Sequence, residues 1–138
     1  MRVIVDTSVW SLALRRGKQS VSAPVQELRH LIQDHRVQMV GPIRQELLSG
    51  IHSESQFIKL QKRLDSFPDF PILTEHYVTA ARFFNLCRSK GIKGSNTDFL
   101  ICAVANRSNF SIFTTDKDFV LFSKHIEIAI HQAEQIQQ

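Results

Sequence analysis

Hydrophobic positions fall along the chain in short runs separated by longer helical patterns. Val3, Ile4 and Val5 are consecutive β-branched residues, the pattern of a strand buried on both faces, and Asp6 stands at its exit. Thr7 or Ser8 is then placed to cap a short helix through Leu14. After the polar stretch RRGKQSVSA, Pro24 suits the first turn of a helix to about His35, with Val25, Leu28, Leu31 and Ile32 at helical spacing. VQMV at 37–40 reads as a second strand. Gly41 and Pro42 end it and open a helix over IRQELLSG that closes at Ser49-Gly50. Ser53 or Ser55 starts a helix over 56–66, Pro68 and Pro71 exclude helix until Thr74, and PILT offers a third strand.

EHYVTAARFFNLCRSKG predicts an amphipathic helix capped by Thr74 and closed at Gly91. The loop IKGSN leads into TDFLICAVANRSN, apolar on nearly every side and so expected to be central and buried. SIFTT reads as a fourth strand, DKDFVLFSK as a short helix or turn, and IEIAI as a last strand. Short oily strands alternating with helices imply crossover connections, hence a three-layer α/β/α domain around a mainly parallel sheet. At 138 residues and 43% hydrophobic content, one domain over residues 1–138 is expected, without repeats or linkers.

This topology gives meaning to the acids, because parallel sheets bind ligands beyond the carboxyl ends of their strands. Asp6 lies at that end of the first strand, Glu46 in the helix after the second, Asp98 in the first turn of the buried helix, and Asp116 and Asp118 just past SIFTT. Taken singly, Asp6, Asp98 and Asp116 are each explained by helix capping, and Glu46 as a solvated helical residue. Taken together, they deliver carboxylates from four segments to one edge. Two carboxylates about 5 Å apart repel by roughly 3 kcal/mol at an effective dielectric near 20, so a converged cluster calls for a divalent cation. An all-oxygen set with open positions favours Mg²⁺, with Mn²⁺ able to substitute, over Zn²⁺. The formal charge of +4 and pI near 9.4 favour an anionic partner such as nucleic acid, and a negative notch in a basic surface suits phosphodiester cleavage.

The stretches VDTSVW, QELLSG around Glu46, NTDFLICAVA around Asp98 and FTTDKDF around Asp116 closely resemble the PIN domain. Their order and spacing are similar to those of the VapC toxins of bacterial type II toxin–antitoxin pairs. The resemblance covers essentially the whole chain. It implies a metal-dependent endoribonuclease leaving 5′-phosphate and 3′-hydroxyl ends, inhibited by a cognate antitoxin whose tail fills the active-site groove, and usually paired as a dimer. It further implies that Asp6 and Asp98 are Mg²⁺ ligands and that Glu46 holds metal or orients water. Asp116 ranks first as the fourth acid, and Asp118 stays a candidate.

Thr7, Ser8 and Thr114 flank the acids and could hydrogen-bond the carboxylates or bound water, with local capping as the equal alternative. Arg15, Arg16 and Lys18 form a basic loop suited to phosphate contacts or simply to solvent. Trp10, Phe83, Phe84, Phe99 and Phe113 fall on apolar faces and are expected in the core. Phe57, Ile58, Leu60 and Leu64 could form an apolar stripe that packs on the core or helps form the antitoxin groove. Cys87 and Cys102 have no metal spacing and read as buried free thiols, and no segment has the length of a signal peptide or membrane span, so a cytoplasmic location is expected.

Two other acid-bearing α/β classes fit poorly. A phosphoacceptor receiver needs an acidic pair after the first strand and a Lys after the last. A haloacid-type phosphatase needs Asp where Ser8 stands. A nuclease of rRNA or tRNA maturation, or a PIN-like scaffold that binds RNA or protein without cutting, remains the alternative to a toxin.

Overall fold

The computed structural model describes residues 1–15 and 22–133. The first strand is β1 (Val3–Val5), followed by α1 (Thr7–Leu14), α2 (Ala23–Gln33), β2 (Val37–Gln38), α3 (Gly41–Leu48) and α4 (Glu54–Leu64). The second half contains α5 (Thr74–Ser89), α6 (Asn96–Ser108), β3 (Ser111–Phe113), α7 (Lys117–Phe122) and β4 (Ala129–Ile130). The strands form one sheet in the order β2-β1-β3-β4, parallel throughout, with helices covering it in an α/β/α arrangement. Val3 pairs with Val37 on one side and with Ser111 on the other. From β1 the chain therefore moves outward to β2, then returns to the opposite side at β3. The carboxyl ends of β1 and β3 are the point where strand order reverses, the place where such sheets open a crevice.

The core explains why these runs became strands. Val3, Ile4, Val5, Ile112 and Phe113 are all buried, so β1 and β3 are covered on both faces. Helix α6 lies against them with Phe99, Ile101, Cys102, Ala103, Val104 and Ala105 all buried. Trp10 and Phe99 are also interior, while Phe83 and Phe84 are half-buried against the same cluster. Both cysteines are buried and free, and burial pushes both thiols up, away from reactivity. No helix among the described residues is long and apolar enough to cross a membrane.

Several expectations from the sequence are corrected. PILT is not a strand. Pro71 lacks an N–H donor and Thr74 already begins α5; the one bridge nearby lies just before PILT, Asp69 opposite Met39, with the Phe70 N–H donating to the Met39 carbonyl at 2.9 Å. Thr74 does not cap α5. It is the first helical residue, Leu73 holds the cap position, and the Leu73 N–H donates to His76 Nδ1 at 2.8 Å. Neither Thr7 nor Ser8 caps α1, since Asp6 occupies that position. The second and last strands are shorter than VQMV and IEIAI: each lies at an edge of the sheet, and beyond Gln38 the VQMV run makes only the single bridge from Met39 to Asp69. In the stripe of α4, Leu60 and Leu64 are buried, whereas Ile58 faces outward at 39% exposure.

The candidate active site at the strand-order reversal

Asp6 is the innermost acid. It is 7% exposed, held at the end of β1 by its own N–H donating to the Phe113 carbonyl at 2.8 Å. Although Asp6 is the N-cap residue of α1, its carboxylate makes no capping bond. Instead Oδ2 accepts from Ser8 Oγ at 2.8 Å and from Thr114 Oγ1 at 2.8 Å. These hydroxyls are themselves oriented: the Thr115 N–H donates to Ser8 Oγ at 3.1 Å, and the Asp116 N–H donates to Thr114 Oγ1 at 2.9 Å. Thr114 thus ties the loop carrying Asp116 to Asp6 across the β1–β3 junction. Among the described residues, Oδ1 of Asp6 accepts no hydrogen bond and is left for solvent or an ion.

The other acids approach from three segments. Asp98, in the first turn of α6, shares a reciprocal cap with Ser95: the Ser95 N–H donates to Asp98 Oδ2 at 3.2 Å, and the Asp98 N–H to Ser95 Oγ at 3.0 Å. Burial raises the Asp98 carboxyl above its ordinary range, the Ser95 bonds oppose this, and the charges of Asp6 and Asp116 raise it further. Glu46, in the second turn of α3, is also raised, first by desolvation and then by Asp6 and Asp98. The Thr7 hydroxyl lowers it, facing Glu46 without reaching full hydrogen-bond geometry, so Thr7 Oγ1 stays buried with no hydrogen-bond partner. Asp116 caps α7, its Oδ1 accepting from the Asp118 N–H at 2.9 Å. Of the two acids in this turn, Asp116 is the one whose charge registers on Asp98. Asp118 is exposed in the first turn of α7.

Asp6, Glu46, Asp98 and Asp116 therefore share one electrostatic neighbourhood, and Asp98 and Asp116 serve as helix caps at the same time. The donors are hard oxygens, one buried hydroxyl lacks a partner, and two of the carboxylates are disfavoured in their charged form by neighbouring acids. Such a set fits a hard divalent cation. Among the described residues, no three His, Cys, Asp or Glu side chains form a ready-made cage. A Mg²⁺ ion that keeps several waters needs only one or two direct carboxylates.

Around Glu46 the surface is open. A cleft of about 370 Å³ is lined by Thr7, Pro42, Gln45, Glu46, Ser49 and Thr97. Ser95 was not among the residues singled out from the sequence, although the S-x-x-D spacing of SNTD is a legible capping box. Arg15 is exposed just beyond α1, while Arg16 and Lys18 lie outside the described residues.

Comparison with known proteins agrees with this architecture. Ribonuclease VapC11 of Mycobacterium tuberculosis and VapC ribonuclease Mb1587 of Mycobacterium bovis are each 28% identical over 127 residues, 88% of this chain and 92% of theirs. The crystal structure of FitAcB from Neisseria gonorrhoeae has a TM-score of 0.76 at 19% identity, covering 95% of this chain and 97% of that one. VapBC2 from Rickettsia felis, bound to a DNA fragment from their promoter, has a TM-score of 0.76 at 16% identity, covering 95% of this chain and 98% of that one. These two likenesses speak for the fold. A family model described as the PIN domain matches residues 3–124, a span that includes every acid at the β1–β3 edge, and the chain belongs to the PIN domain family.

Proposed function

We propose that this protein is a Mg²⁺-dependent endoribonuclease that acts as a toxin and is neutralised by a protein antitoxin. The observation that carries the reading is the placement of Asp6 at the end of β1, where the strand order reverses, with its charge acting on both Glu46 and Asp98 and that of Asp116 acting on Asp98. The names of the VapC ribonucleases support RNA as substrate, and the resemblance of the four acid-bearing motifs to the VapC toxins supports an antitoxin as partner. Dimer formation and a cytoplasmic location accompany this reading.

Asp6 and Asp98 are the residues proposed to hold the ion, with Glu46 and Asp116 at its periphery. A bound Mg²⁺ would supply charge neutralisation at the phosphate and acidify a coordinated water. Ser8 and Thr114 fix the orientation of the Asp6 carboxylate through their two O–H bonds. Ser95 fixes Asp98 in the same way through the cap. Glu46, exposed on the wall of the cleft, is placed to accept a proton from water entering beside the phosphate. Arg15 is a phosphate contact at the rim.

The test is cleavage of a mixed cellular RNA pool by purified protein, with Mg²⁺ and with EDTA, alongside Asp6→Asn. Cleavage with Mg²⁺ only, lost in a folded Asp6→Asn protein, is expected, as is growth arrest when the protein is expressed alone. Equal cleavage in EDTA would overturn the metal mechanism. RNA binding without any cleavage would point to a scaffold. Cleavage with unimpaired growth would point to a maturation enzyme.

A further inference from the structure

A second cleft, of about 680 Å³, opens between α1, α3 and α4, and Glu46 lines it as well as the smaller one beside Thr7. The cleft therefore joins the acid edge through a shared wall. Apart from Glu46, its charged lining is entirely cationic: Arg15, Lys59 and Arg63, all exposed. None of the three forms an ion pair among the described residues, whereas Arg44 on the same side of the fold is committed to Asp69 at 3.0 Å. Lys59 and Arg63 are four residues apart on α4, so they share one helix face with Cβ atoms about 6 Å apart. Leu60 and Leu64 anchor the helix to the core and leave that row turned outward.

The chemistry of the lining selects among occupants. A helical peptide lies in a groove with an apolar floor that it can bury. Here the cleft's Leu47 and Leu60 are already buried in the protein's own core, Ala13, Leu14 and Ile51 are half-buried against it, and the exposed lining is polar or charged throughout: Arg15, Glu46, Ser49, Gln56, Lys59 and Arg63. Unpaired cations in a row instead match a polyanion, whose counterions they release. One row on one helix tracks one strand.

We infer that Lys59 and Arg63, continuing from Arg15, hold the phosphates on one side of the cleavage site of a single-stranded RNA. The RNA leaves the acid edge past Glu46 and runs along α4. This rests on the ribonuclease reading above, and adds to it the positioning residues and the path of the strand.

The experiment is a salt titration of RNA binding, which does not depend on turnover. Asp98→Asn protein is mixed with a labelled single-stranded RNA, and the affinity is measured from low to physiological salt. Lys59→Ala/Arg63→Ala in that background should weaken binding about tenfold, and should reduce the slope of log affinity against log salt by about 1.4, the value for two lost single-strand phosphate contacts. A double variant of equal charge change on another element, Arg82→Ala/Lys90→Ala, should keep the parent slope. Circular dichroism confirms that the variants are folded. If the parent binds but both doubles behave alike, the path along α4 is wrong while the ribonuclease reading stands. If the α4 double keeps RNA affinity and instead loses an acidic peptide, the cleft is a protein-docking groove and the inference fails. If the parent binds no RNA at all, the inference and the ribonuclease reading fail together.

Discussion

Asp6 sits at the head of a helix and does not cap it. A carboxylate at an N-cap ordinarily accepts from the helix's own N–H groups, and this one accepts from Ser8 and Thr114 hydroxyls instead. The arrangement makes Thr114 a hinge pin between Asp6 and the turn bearing Asp116. Thr114→Val keeps the shape, removes one donor to Asp6 and one acceptor from the Asp116 N–H, and should cost about 1–2 kcal/mol in denaturant unfolding. It should lower RNA cleavage about 10–100-fold, as loss of a partner that orients a metal-holding group does. Unchanged cleavage would show that the hydroxyl only stabilises the turn.

Asp98 gives a prediction whose sign is fixed by its environment. Burial and the neighbouring acids raise its carboxyl in the folded state. A raised carboxyl contributes stability that is fully present below its unfolded value and is lost as pH climbs through the folded value, so at neutral pH the metal-free protein carries a penalty. In EDTA, Asp98→Asn should therefore melt above the wild type at pH 7. The gap should close as pH falls into the ordinary carboxylate range. Melting curves across that range check it, and a variant that melts lower at pH 7 would mean that the Ser95 cap outweighs the charge.

At the scale of elements, the turn before α6 is set by Gly94. A Cβ there would stand 2.6 Å from the Phe122 ring and 2.8 Å from Phe99, and both rings are buried against each other with centroids 4.7 Å apart. Neither ring can withdraw cheaply. Gly94→Ala should lose about 1–3 kcal/mol in chemical unfolding, because the turn that aims Asp98 is packed against the core. A loss within a few tenths would show that the loop relaxes instead.

Legibility in the sequence follows from the same packing. Strand β1 and helix α6 were plain because burial on all sides leaves an uninterrupted apolar run, and Gly50 and Gly91, with positive φ of 86° and 76°, closed α3 and α5 as glycines do. PILT looks strand-like locally because it is apolar, yet Pro71 has no N–H, the Leu73 N–H is taken by His76 and Thr74 already begins α5. The positions of Asp6, Asp98 and Asp116 follow from the sequence because they end a strand or begin a helix, whereas Glu46, in the second turn of α3, has no such local mark. The cationic row on α4 was not, since Lys59 and Arg63 gain meaning only when α1 and α3 pack alongside to make a cleft.

At the scale of the whole molecule, a basic chain gathers four acids where β1 and β3 end side by side. The +4 formal charge is thus unevenly spread, with negative charge concentrated where the strand order turns back and cations lining the adjoining cleft. The parallel sheet makes this possible by bringing residues as distant as Asp6 and Thr114 into hydrogen-bond contact. In this account the cluster is an apparatus for a cation and costs stability without one. The measurement that bears on it most directly is thermal melting of the protein against Mg²⁺ concentration, in wild type and in Asp6→Asn/Asp98→Asn. The melting temperature should climb with Mg²⁺ in the wild type, by an amount set by mass action, and stay flat in the double variant. An equal response in both proteins, or none in the wild type up to millimolar Mg²⁺, would contradict it.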